Sequence, residues 1–147
     1  IRDPLSVIPS GLSLVTGVLD KRFGFWKLPI KKRQHFINQL YYGLTQLLLR
    51  FHEDWTSGRI DRSRVYIIHF DRMMADFDNL MNEVLKFIDH PPSSHFKEDI
   101  YKTAEKQRQF QSEHQYDLEK FGLNPEQIKS DCAPIYETFL KTTSEGS

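Results

Sequence analysis

The feature that most constrains this chain is the apolar periodicity of residues 30–54. Phe36, Ile37, Leu40, Tyr41, Leu44, Leu47, Leu48, Phe51 and Trp55 recur at three- and four-residue steps. That spacing paints one face of an α-helix, and the face needs a partner surface to leave water. Further helices are expected on the same grounds. Phe77, Leu80, Met81, Val84, Leu85 and Ile88 mark a helix over 76–88, ended by His90-Pro91-Pro92. Ser94 caps another, reaching about residue 106 or 109. Asn124-Pro125-Glu126-Gln127 opens the last, with an N-cap, a first-turn proline and a capping-box residue. Ile128, Cys132, Ile135, Tyr136 and Phe139 face inward there, with a break near Pro134.

Near the start, Asp3-Pro4 is a helix-start signal. The helix should reach Val15 or Thr16, with a kink or restart at Pro9, where a backbone donor is lost. Residues 17–29 read as a loop holding Gly24 and the aromatics Phe23, Phe25 and Trp26. Residues 64–70 read as the one clear strand, because Val65-Tyr66-Ile67-Ile68 is β-branched, aromatic and nearly continuous in apolarity. A buried parallel strand needs ladder partners, so the rest of a sheet is expected upstream of Ile1. The chain then reads as a single partial domain over residues 1–147, half of a fold.

Charge excludes some functions. Twenty Lys and Arg balance twenty Asp and Glu, so no global field draws the chain to nucleic acid or anionic lipid. No apolar run approaches the roughly 20 residues that span a bilayer. Cys132 is the only cysteine, which removes an internal disulfide and favours a reducing, cytoplasmic setting. The six histidines show no metal-ligand spacing, and no Gly-x-Ser-x-Gly elbow supports a hydrolase triad.

The strongest chemical constellation is Arg2 with Ser10. A phosphate dianion wants a guanidinium fork, a hydroxyl donor and helix N-terminal amides. Arg2 before a helix start, with a serine eight residues later, offers these; a capped helix with a surface arginine is the plainer alternative. Arg-Asp-Pro with the spaced serine resembles the 3′-phosphate motif of sulfotransferases that use 3′-phosphoadenosine 5′-phosphosulfate (PAPS). Two later segments are similar to the same family. One is the strand running into Phe70-Asp71, where Arg72 departs from the family's second acid. The other is Phe110–Leu123, with its Ser112, His114, Tyr116 and Phe121-Gly122-Leu123 turn.

The resemblance implies the C-terminal part of a P-loop-kinase-like, three-layer α/β fold, helix-dominated in this segment with one parallel strand. It implies transfer of a sulfuryl group from PAPS to a hydroxyl or amine without metal, leaving adenosine 3′,5′-bisphosphate. Arg2 and Ser10 would hold the 3′-phosphate, with Lys106, Arg108, Ser112 and His114 in a late loop over the nucleotide. The 5′-phosphosulfate lysine and the catalytic base would lie in an N-terminal half outside this chain, so no catalytic residue is expected here. A Golgi setting would follow if that half carried an anchor.

The acceptor, a small molecule or a carbohydrate, is not specified. Trp26, with Phe23 and Phe25, either walls an acceptor site or pins its loop to the core. Lys21, Arg22, Lys27, Lys31, Lys32 and Arg33 either make a basic rim for an anionic acceptor or are solvated charges. Two rival functions stand beside this one: a helical protein-interaction module docking through residues 30–54, and a P-loop nucleotide kinase fragment.

Overall fold

The structure, a computed structural model, describes residues 1–109 and 117–141. Every regular element among them is helical. The chain divides into two compact units, residues 3–60 with 117–141 and residues 1–2 with 61–109.

The first, the hairpin unit, is built on α1 (Pro4–Phe23) and α2 (Ile30–Thr56). Asp3 caps α1 by accepting the Leu5 N–H at 2.8 Å, and Pro4 fills a first-turn position whose donor would be unpaired anyway. Against expectation, α1 runs through Pro9 and past Gly17 for about two more turns. Pro9 lies early enough that one lost bond is tolerated, and its ring is buried. The helix stops where Gly24 adopts the left-handed conformation, φ 66°, and returns its N–H to the Asp20 carbonyl. Lys21 and Arg22 occupy the last turn, where the macrodipole favours cations.

A short 3-10 turn, Phe25–Lys27, leads to Pro29 and α2. The two long helices close tightly at Gly11, where a Cβ would sit 2.9 Å from Leu44 Cδ1. Ile8, Leu12 and Thr16 of α1 and Ile37, Tyr41 and Thr45 of α2 are buried. Thr45, not Leu47, continues the α2 core stripe, and Leu47 is exposed. The other eight positions of the periodic stripe are buried or half-buried.

The C-terminal part closes this core with α6 (Pro125–Asp131), α7 (Ala133–Ile135) and a π-helical turn, Tyr136–Leu140. Asn124 caps α6 by accepting the Gln127 N–H at 2.7 Å, and the break falls at Cys132, just before Pro134. Ile128, Cys132, Ile135 and Phe139 are buried as the apolar spacing requires.

The other unit packs α3 (Phe70–Ala75), α4 (Phe77–Phe87) and α5 (Ser94–Gln109). Leu80, Leu85, Ile100 and Ala104 form its small core. The α/β class expected from the sequence is corrected here. Residues 65–69 run extended but form no strand, and their side chains are half-buried or exposed instead of covered on both faces. Among the described residues, Ile1 is the one residue distant in sequence that meets the segment through backbone bonds. Its amino group donates to the Ile68 carbonyl, and its carbonyl accepts the Phe70 N–H at 2.7 Å. Strand propensity is largely a fit to neighbours, and one residue is too little neighbour to build a ladder. Among the described residues there is therefore no sheet and no three-layer arrangement.

Candidate functional site

Arg2 belongs to the three-helix unit. Its guanidinium carbon lies 4.3 Å from the centre of the Phe70 ring, a cation–π contact that orients the fork. The Ile1 backbone bonds hold the residue just before it against the same segment. Arg2 is half-buried and no carboxylate pairs with it among the described residues. Two sequence signals, the arginine and the aromatic after residues 65–69, thus meet in one contact that neither predicted alone.

Ser10 belongs to the hairpin unit, about two turns into α1 and half-buried. The N-terminus of that helix is fixed by more than its own cap. Tyr136, far along the chain, donates its hydroxyl to Asp3 Oδ1 at 2.5 Å. The Asp3 carboxylate and burial together push the Tyr136 phenol well above its ordinary range. Asp3 is therefore a structural carboxylate, its Oδ1 accepting both the Leu5 N–H and the Tyr136 hydroxyl. The apolar pattern placed Tyr136 inward, but nothing in it named Asp3 as the partner.

The remaining nucleotide candidates fall unevenly. Arg108, on α5, is already committed, with Nη2 3.0 Å from Asp78 Oδ1 and Nη1 paired to Glu105. Lys106 is exposed on the same helix. Ser112 and His114 lie outside the described residues, as does the first half of the 110–123 similarity. Its described end does form a turn. Phe121 and Leu123 are buried around a left-handed Gly122, and the Leu123 N–H returns to the Leu118 carbonyl.

Arg72, the departure from the family pattern, has a structural use. It makes a forked contact with Glu83, one arm at 3.0 Å, and Tyr66 donates to the same carboxylate. These donors hold the Glu83 carboxyl below its usual range. The tie fastens the extended segment and α3 to α4.

Trp26 acts as a pin more than a wall. Its backbone N–H donates to Asp20 Oδ1 at 3.0 Å, and its ring packs against Phe25 and Phe121. Lys120 Nζ lies 4.5 Å and the Arg33 guanidinium 5.7 Å from its ring centre. Phe25 is buried in the core, whereas Phe23 stands in solvent.

A cleft of about 310 Å³ lies in the three-helix unit among Asn82, Leu85, Lys86 and the 89–92 corner. It contains none of the nucleotide candidates. No three metal-ligating side chains converge among the described residues. No helix there is long and apolar enough to cross a membrane. Comparison with family models, with curated proteins and with solved structures found no match to this chain.

Proposed function

We propose that this chain carries the 3′-phosphate-binding part of a PAPS-dependent sulfotransferase. The observation that carries the reading is the Arg2-Asp3-Pro4 … Ser10 run. Its aspartate and proline start a doubly anchored helix, and its arginine lies on an aromatic face with no carboxylate paired to it among the described residues. A half-buried arginine without a carboxylate is poised for an anion, since its donors are worth most to a charged acceptor. Ser10, half-buried on α1, is the hydroxyl donor that the motif supplies. Lys106 stands as a further cation for the nucleotide, while Arg108 would first have to leave Asp78 and Glu105.

On this reading the donor type is set here, and the groups that move the sulfuryl group are not assigned to this chain. The chemistry is in-line transfer to a hydroxyl or amine, driven by positioning and by stabilisation of the bridging oxygen.

The test is calorimetric titration of adenosine 3′,5′-bisphosphate into the intact protein and into an Arg2→Ala variant. Loss of a forked phosphate contact should weaken binding about 10- to 150-fold, or roughly 1.5–3 kcal/mol. Equal affinity in the two proteins would remove Arg2 from the site. Stabilisation by ATP with magnesium, and not by the bisphosphate, would point to a nucleotide kinase instead.

The helix-only architecture favours a second reading, the helical interaction module. It expects cooperative melting with no response to either nucleotide, so the same titration separates it from the first.

A further inference from the structure

The chain is neutral overall, but its charge is segregated. Between Lys21 and His52 there is no aspartate or glutamate, while that stretch holds seven Lys and Arg. Six of the seven fall within residues 21–33, at the corner joining α1 to α2. The α2 start makes the excess sharper. Its first turn holds no acid to offset the macrodipole, and its cap residue, Pro29, has no side-chain acceptor to give.

Elsewhere in the molecule several arginines are ion-paired. Arg50 and Arg59 pair with Asp54, Arg72 with Glu83, Arg108 with Asp78. At the corner, Lys21, Arg22, Lys27, Lys31 and Lys32 are all exposed and none is ion-paired among the described residues. Asp20, the neighbouring carboxylate in sequence, accepts the Trp26 N–H inside the corner.

Large apolar side chains stand among these cations. Phe23 is 72% exposed, Ile30 70% and Leu28 40%. All three lie within eight residues, across the end of α1 and the start of α2. The corner beneath them is firmly built, because Gly24 and Asp20 fix its backbone and Trp26 anchors it to Phe25 and Phe121.

From this pairing of free cations with solvent-facing apolar groups, we infer that the α1–α2 corner docks on an anionic lipid surface. An acyl boundary takes Phe23, Leu28 and Ile30 out of water, while the lysines extend their stems and leave their ammonium groups at the headgroups. Neither component suffices alone. A sulfated glycan or nucleic acid would satisfy the cations but leave the aliphatic side chains wet. A neutral apolar partner would leave five charges to be desolvated. The contact is peripheral, in keeping with the absence of a spanning helix among the described residues.

The experiment is co-sedimentation of the intact protein with vesicles of phosphatidylcholine, with and without about one third phosphatidylserine. Binding should require the anionic lipid and should fall steeply between low and high salt, a readout that needs no variant. Each cation at such a surface is worth on the order of 5-fold. Replacing Lys21, Lys27, Lys31 and Lys32 by Gln should therefore weaken binding on the order of 100-fold or more. A Phe23→Ser, Ile30→Ser variant should weaken it about 10-fold while retention on an immobilised sulfated polysaccharide stays unchanged. All six positions are exposed, and an unchanged circular dichroism melt checks that each variant folds.

No binding to the anionic vesicles at low salt overturns the inference. So does equal binding to neutral vesicles. Full vesicle binding by the Phe23→Ser, Ile30→Ser variant also overturns it, and reassigns the corner as a general polyanion site.

Discussion

In the hairpin unit the polar ties reach across the sequence, whereas in the three-helix unit they sit on the outside. Tyr136 bonds Asp3, Tyr41 bonds Asp131 at 2.6 Å, and His52 meets Thr138 at 2.9 Å, each joining α1 or α2 to the C-terminal helices. They frame a core of Ile8, Leu12, Ile37, Phe121, Ile128 and Cys132 that is almost wholly out of water. The three-helix unit buries only Leu80, Leu85, Ile100 and Ala104, and adds exposed ion pairs around Arg72 and Arg108. A buried apolar side chain contributes about 1.5–3 kcal/mol, while exposed pairs are weakened by water and salt. Exposed ion pairs occur in both units, as at Arg50 and Arg59 with Asp54 in the hairpin unit. The difference therefore teaches that packing holds more of the hairpin unit than of the other.

The largest effect that would sharpen the contrast is a truncation in the better packed core. Phe121 is buried beneath the Trp26 ring, and its carbonyl accepts from Gln34 at 3.3 Å. Phe121→Ala should cost about 3–5 kcal/mol through lost burial and a residual cavity. Hydrogen exchange would show it as lost protection of amides in α1, α2 and α6. A cost below about 1 kcal/mol would mean that this core is not packed as described.

A smaller effect is an alkaline loss of stability at the hairpin core. Burial pushes the Cys132 thiol up to about 11, with the Asp131 and Asp3 carboxylates adding to it. The Tyr41 phenol is raised as well, first by burial and then by its bond to Asp131. A group whose acid form is favoured by folding contributes stability that is complete below its unfolded pKa. That contribution is lost as pH rises through the folded value. For Cys132 the window runs from the ordinary 9.0 to about 11, and the loss is at most about 2–3 kcal/mol. Urea midpoints measured across that range should fall, and a Cys132→Ala variant should show a shallower fall. A flat profile to the top of the window would place the thiol in water.

Much of the hairpin unit was legible in the sequence because its signals are local and agree with one another. The α2 stripe is a long period on its own, the Asp3-Pro4 and Asn124-Pro125 starts each add a cap, and all three helices form. Gly17 misled because a glycine in a helix costs only about 1 kcal/mol, less than a packed helix regains downstream. The stop needed Gly24, where a left-handed backbone favours glycine.

Residues 65–69 misled for a different reason. Their β-branched pattern states a preference, and whether a ladder forms depends on partners that no local pattern contains. The candidate site divides the same way. Arg2 and Ser10 were readable as a spaced motif. The commitment of Arg108 to Asp78, 30 positions away on another helix, was not, nor was the Phe70 ring under Arg2. Contacts between elements are tertiary facts, and only residue types can be read before the fold.

The smallest effect lies at the exposed pairs of the three-helix unit. Glu83 receives Arg72 and Tyr66, and the Arg72 donors, first among them, lower its carboxyl from the ordinary 4.5. The Tyr66 phenol is raised in turn by its bond to Glu83. A carboxyl with a depressed folded pKa contributes stability that is present above the unfolded value. It is lost as pH falls through the folded one. The Glu83 contribution should therefore fade below pH 4.5, opposite in sign to the alkaline loss at Cys132. Because the groups are exposed, salt should shrink the effect. Arg72→Met should abolish the acid-limb slope and lower the denaturation midpoint slightly, less at high salt than at low. If Arg72→Met left the acid limb unchanged, the Glu83 cluster would be a surface arrangement without consequence, and the small Leu80–Ala104 core would hold that unit without help.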